Sequence, residues 1–199
     1  MVLRPVSRPW SLGATAAFPA AVRAWHAVTM SATDELRDNN AAFAQNLDAG
    51  ESGPEPKKKI AVVACMDARI DVHAILGLSL GDAHVIRNAG GVVTDDVLRS
   101  LLLSQRLLGT EEILVMQHTG CGLHGLPEAE VRAEIARDAG KAPDFPLLGF
   151  DDLEESVRHS VSQLAADPLL PHRSSIRGFI YDVRSGRATE VVATSGNSA

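Results

Sequence analysis

The chain of 199 residues is poor in cysteine and in aromatic residues, with two cysteines, two tryptophans, one tyrosine and five phenylalanines. Cys65 and Cys121 lie far apart and outside any Cys-x-x-Cys pair. That argues against a disulfide framework and leaves three readings: buried bystanders, a single bridge, or metal ligands. Within a composition of 45 % hydrophobic and 22 % charged residues, so few aromatics imply an aliphatic core in an ordinary soluble protein. No apolar run approaches the roughly 20 residues of a membrane helix, because Arg, Glu, Asp or Gln interrupts each, so no bilayer span is expected. Acidic side chains are missing from residues 1 to 30, which carry Arg4, Arg8 and Arg23, so the remainder holds 16 Lys and Arg against 25 Asp and Glu, a balance of −9. A body so acidic disfavours nucleic acid as a partner. The one basic run, "KKK" at 57 to 59, reads as a solvated strand edge. No Lys-Ser or Lys-Thr follows Gly90 and Gly91, so the pair reads as close backbone approach or positive φ and not as a phosphate cradle.

Length allows one domain with a sizeable core. Residues 1–29, rich in Ala, Pro and Arg, lack clear helical periodicity and are read as a disordered extension or a misassigned start, with Met30 the natural one; a processed targeting segment is the rival. Residues 30–199 are read as a single domain. From Met30 a capped amphipathic helix is expected, with Ser31 or Thr33 as cap and Asp34 and Glu35 in its first turn. A Gly/Pro-rich linker, "DAGESGPEPKKK", follows. From Ile60 onward, apolar runs alternate with helical patterns, the signature of βαβ units around a parallel sheet. "IAVVAC" reads as a strand buried on both faces, "AHVIRNAGG" as a second strand with a Gly-rich exit and "EILVMQH" as a third, buried strand. Helices are expected over "DVHAILGL", "TDDVLRSLLLSQRLLG", "PEAEVRAEIARDAG" and "DDLEESVRHSVSQLAAD", with Thr94 as a cap and Gly109 and Gly140 as stops. "IRGFIYDV" and "ATEVVAT", joined through Arg184-Ser185-Gly186-Arg187, form a hairpin. The fold class is therefore α/β: a mainly parallel central sheet flanked by helices, with a C-terminal antiparallel hairpin.

In open α/β sheets reactive groups collect at the carboxyl ends of strands. Two such ends are unusual here. The first carries Cys65-Met66-Asp67-Ala68-Arg69, and the third carries His118 and Cys121 in "HTGCG". Two cysteines and one histidine suit Zn²⁺, which prefers tetrahedral N/S coordination, and three protein ligands leave the open fourth position of a catalytic site. Zinc there lowers the pKa of bound water to about 7. Asp67 either takes the fourth position as a metal ligand or accepts a hydrogen bond from that water, and Arg69 is placed to hold it ionised through a bidentate pair. Each motif alone has a bland reading: core cysteines, a chance His-x-x-Cys, a loop salt bridge. Their joint occurrence at two strand exits favours the metal.

"CMDAR", "VIRNAGG" and "HTGCG", in this order, resemble the β-class carbonic anhydrases, over roughly residues 30 to 193. Where the plant-like branch has a Gln and a Phe this chain has Pro56 and His84, so it is more similar to the bacterial branch. The resemblance implies one zinc per subunit on Cys65, His118 and Cys121, an Asp67–Arg69 dyad, reversible hydration of CO2 to bicarbonate and a proton, and a homodimer or higher homo-oligomer in the cytoplasm. Hydrolysis of CS2 or COS on the same fold, a non-catalytic zinc-stabilised interaction or sensor domain, and a Cys65–Cys121 redox pair are the alternatives. Arg87 and Asn88 are expected to brace the dyad loop. His84, His73 and His124 are each open to two readings, a proton shuttle or an ordinary packed or exposed histidine.

Overall fold

Apolar runs too continuous for a one-sided sheet become the central strands, and the amphipathic segments between them become the helices that cover both faces. The computed structural model describes residues 31–47 and 53–194. The extension 1–29 and the expected start at Met30 lie outside the described residues. The chain divides into two units, Met1–Ala49 and Gly50–Ala199. In the first, α1 (Ala32–Gln45) is opened by Ser31 in a reciprocal capping box with Asp34 and buries none of its residues.

The second unit carries a five-stranded sheet in the order β2-β1-β3-β4-β5. Its strands are β1 (Ile60–Cys65), β2 (Ala83–Asn88), β3 (Glu112–His118), β4 (Ile176–Asp182) and β5 (Arg187–Ala193). β1 pairs in parallel with β2 and β3, β3 in parallel with β4, and β5 closes the sheet antiparallel to β4. The helices are α2 (Val72–Leu76), α3 (Asp95–Leu108), α4 (Glu128–Ala139) and α5 (Leu153–Ala166). This is the expected α/β architecture with its hairpin.

Because strand side chains alternate in facing, β1 and β3 feed two cores. Ala61, Val63, Ile113 and Val115 pack with Val97 and Leu101 of α3 and Val161 and Leu164 of α5. Val62, Ala64 and Met116 pack on the other face with Ile70, Val72 and Tyr181. Caps set the helix ends as expected: the Thr94 hydroxyl accepts the Val97 N–H at 3.3 Å, and Gly109 closes α3 in the left-handed conformation at φ 71°. The three lysines are exposed, as read in the sequence, and two of them make surface pairs: Lys58 lies 3.8 Å from Asp82 and Lys59 2.7 Å from Glu111, acids that immediately precede the strands on either side of β1.

α5 approaches β4 through Gly178, where an added Cβ would meet Val157 Cγ1 at 2.6 Å and Val192 Cγ1 at 2.7 Å. Overpacking of a well-filled core costs typically about 1–3 kcal/mol. Gly178→Ala is therefore expected to lower stability by about that amount in urea unfolding, with the fold of the surviving folded fraction unchanged by circular dichroism.

Candidate metal centre

Parallel pairing puts the carboxyl ends of β1, β3 and β4 at one end of the sheet. Cys65 is the last residue of β1 and His118 the last of β3, and the turn after β3 brings Cys121 back towards them. The ligand atoms of Cys65, His118 and Cys121 all lie within 4.8 Å of one another, and all three residues are buried. His118 is fully buried, its Nδ1–H donates to the Thr119 carbonyl at 3.0 Å, and its Nε2 has no hydrogen-bond partner. A carbonyl only accepts, so Nδ1 carries the proton and Nε2 presents a lone pair. Burial lowers the pKa of His118, which keeps the imidazole neutral. Burial, with the nearby Cys65 sulfur, raises that of the Cys121 thiol. An orphaned buried nitrogen facing two sulfurs fits a tetrahedral cation, whose ligands would stand roughly 3.5–3.8 Å apart at zinc bond lengths.

Asp67 stands beside this cluster and outside it. Its Oδ2 is 3.8 Å from His118 Nε2, but both carboxylate oxygens are already engaged. Oδ1 accepts the Arg69 backbone N–H and Nε–H, each at 2.9 Å, and Oδ2 accepts Nη2–H at 2.7 Å. These hydrogen bonds hold the Asp67 carboxyl well below the usual carboxylate range. Arg69 also donates from Nη2 to the Gly120 carbonyl at 2.9 Å, so one guanidinium ties the loop after Cys65 to the loop before Cys121.

The brace expected of Arg87 takes a definite form. Its Nε–H donates to the Cys65 carbonyl at 2.9 Å and its Nη2–H to the Asp67 carbonyl at 2.8 Å, fixing the peptide on both sides of Met66. The Asn88 side chain is bonded in both directions to the Val92 backbone and closes the turn 89–91. Inside that turn Gly90 and Gly91 have φ of 81° and 62°, and a Cβ on Gly91 would lie 2.8 Å from the Cys65 nitrogen. Both sequence readings of the Gly pair hold together: positive φ and close approach, here to the backbone of a ligand.

The three histidines left open in the sequence differ in setting. His84 lies near the amino end of β2, four residues before the strand exit, where it accepts from the Ser104 hydroxyl at 2.7 Å and donates from Nε2 to the Pro54 carbonyl at 3.3 Å. Four strand residues span about 13 Å, which places its ring in a packing network and away from the cluster's end of the sheet. His73 is exposed on α2. His124 is exposed beside the metal loop, with its ring stacked on Phe150 at 5.8 Å and Nε2–H donating to the Asp151 carbonyl at 2.8 Å. Sequence reading missed the Gly120 carbonyl and Thr119 as partners of functional groups. Their position inside "HTGCG" was the only signal, and backbone acceptors leave no trace in residue type. A cavity of about 900 Å³ lined by Val92, Val93, Phe150 and the Ser156, His159 and Ser160 side of α5 contains none of the three cluster residues.

A parallel α/β sheet whose strand ends converge a histidine and two cysteines defines a metalloprotein of mononuclear Cys–His–Cys type. Comparison with known proteins narrows this class. Residues 60–139 match the family model for carbonic anhydrase. The β-carbonic anhydrase 1 of Mycobacterium tuberculosis is 44 % identical over 165 residues, covering 81 % of this chain and 99 % of that protein. The crystal structure of carbonic anhydrase from Streptococcus mutans superposes with a TM-score of 0.77 at 44 % identity, covering 82 % of this chain and 99 % of that one. A carbon disulfide hydrolase of Acidithiobacillus thiooxidans is 33 % identical over 157 residues, 68 % of this chain and 78 % of that protein. The chain belongs to the β-carbonic anhydrase family, and zinc is the metal of that family.

The depressed Asp67 pKa gives a pH signature. Folding lowers this pKa, so the stabilisation from the Asp67–Arg69 pair is complete above the unfolded value of about 3.9 and is lost as pH falls from there through the folded value. In urea unfolding of the metal-free protein, the stability gap between the parent and Asp67→Asn is expected to stay level from about pH 8 to 5 and to narrow below about pH 4.

Proposed function

We propose that this protein catalyses the reversible hydration of CO2 to bicarbonate and a proton, with zinc held by Cys65, His118 and Cys121. The observation that carries the reading is the buried Cys–His–Cys cluster with Asp67 fixed beside His118 Nε2 by Arg69. Zinc at this cluster supplies Lewis acidity that brings the pKa of water down to about 7. The chain's own groups do the rest. Asp67, ionised and acceptor-only, orients the attacking water by taking a hydrogen bond from it. Arg69 keeps that carboxylate ionised and, by taking three of its four lone-pair sites through its backbone N–H, Nε–H and Nη2–H, holds it off the fourth ligand position while leaving one site on Oδ2 for that water. Thr119 fixes the ligating tautomer of His118 through its carbonyl.

Hydrolysis of CS2 is the second reading, favoured by the 33 % identity to a carbon disulfide hydrolase, against 44 % to a β-carbonic anhydrase over more of the chain. We further infer a homodimer or larger homo-oligomer. It is supported by the apolar Leu36, Phe43 and Leu47 that α1 and the residues after it leave exposed. A reducing compartment, the cytoplasm, suits a site built on two unpaired cysteines. Residues 1–29 are proposed to be a dispensable extension, since α1 is capped by Ser31 and needs no preceding residue to start.

Stopped-flow CO2 hydration on zinc-replete protein tests the activity, with CS2 consumption measured in parallel. Activity on neither substrate would leave a zinc-stabilised structural domain. Cys121→Ser is expected to reduce zinc below stoichiometry by elemental analysis. Arg69→Ala is expected to retain zinc and lose hydration by at least about 100-fold, the usual scale for removing a group that orients a reacting partner. Chain begun at Met30 is expected to match the full chain in zinc content and thermal midpoint.

A further inference from the structure

The carbonyl that holds His118 is itself held from a neighbouring strand. Thr119 N–H donates to the Tyr181 carbonyl at 3.0 Å, continuing the β3–β4 ladder one residue past His118. The Thr119 hydroxyl oxygen accepts the Val183 N–H at 3.2 Å. One residue thus has its amide and its side chain fixed by the end of β4, while its carbonyl takes the imidazole proton at 3.0 Å.

A neutral imidazole chooses between two tautomers, and the partner of one nitrogen decides what the other offers a metal. If the Thr119 carbonyl turns away, Nδ1–H loses its acceptor. The competing tautomer then places a proton on Nε2 and blocks the lone pair that faces Cys65 and Cys121. We propose that Thr119 is a positioning residue: its hydroxyl, by accepting the Val183 N–H, holds the carbonyl that keeps His118 in the tautomer able to bind metal. The inference rests on the reading of Cys65, His118 and Cys121 as zinc ligands and adds the C-terminal hairpin to the machinery that sets their affinity. Threonine suits the position because valine copies its shape without an acceptor, whereas serine keeps the oxygen.

The test uses the full chain in four variants, Thr119→Val, Thr119→Ala, Thr119→Ser and Cys121→Ser. Zinc affinity is measured by chelator competition, and the histidine tautomers of the zinc-free proteins by long-range ¹H–¹⁵N correlation. Loss of a partner that orients a ligand weakens metal binding by about 10- to 100-fold, so valine and alanine are expected to do so while serine stays within about threefold of the parent. The His118 signals are expected to show Nδ1–H alone in the parent and the serine variant, and both tautomers in the valine and alanine variants. A role confined to stability would leave the tautomer unchanged. Zinc bound as tightly by the valine or alanine variant as by the parent overturns the proposal, and so does a His118 that remains wholly Nδ1–H in either. Alanine keeps the comparison alive if the valine variant fails to fold. Retention of stoichiometric zinc by Cys121→Ser would instead strike the ligand reading itself, whatever the Thr119 variants do.

Discussion

An imidazole nitrogen and two sulfurs are buried against one another with no hydrogen donor to satisfy the nitrogen, and the surrounding structure keeps them so. Left alone, such a cluster is unfavourable: an unpaired buried polar group costs about 1–3 kcal/mol. A cation relieves that cost, which is why the donor set reads as a metal site and not as core. The neighbouring charges are arranged around the same need. Asp67 is anionic and close, yet three of its four lone-pair sites are spent on Arg69, so it lends negative potential without occupying the cluster. Arg69 spans two loops and Arg87 spans two carbonyls, so both ligand-bearing segments are held by guanidinium groups that cannot lose their charge.

Much of this was legible in the sequence because it is written in residue types. Continuous apolar runs marked β1 and β3, the turn residues marked the hairpin, and the placement of the only two cysteines at strand exits marked the cluster. The Asp67–Arg69 pair was legible from spacing, since two residues of an Asx-type turn bring backbone and side chain of one to the carboxylate of the other. What stayed hidden is carried by backbone groups and by register. Nothing about glycine announces that its carbonyl receives Arg69, and nothing about Thr119 announces that β4 ends beside it. His84 was ambiguous for a related reason. Strand alternation alone does not say which face a side chain takes, and only the α3 packing with Ser104 and Thr110 decided it.

The fold and the site use the same glycines in different ways. Gly178 lets a helix rest on the sheet, a matter of stability. Gly91 lets the turn after β2 lie directly on the backbone of Cys65, so that the geometry of one ligand is also set from the neighbouring strand of the sheet. Replacing either with a larger residue disturbs different things.

The contact between Thr119 and Val183 has a temporal side as well. Cys65, His118 and Cys121 are made well before β4, yet the carbonyl that orients the imidazole is anchored only by residues 181 and 183, near the end of the described chain. A ribosome-bound chain that has just exposed the second cysteine therefore holds three ligands without the strand that aims one of them. Metal captured at that stage meets a loop still free to choose its imidazole nitrogen. Closure of the β3–β4 ladder is the event that selects between them, so the centre is completed only once residues 181 to 183 have joined the sheet.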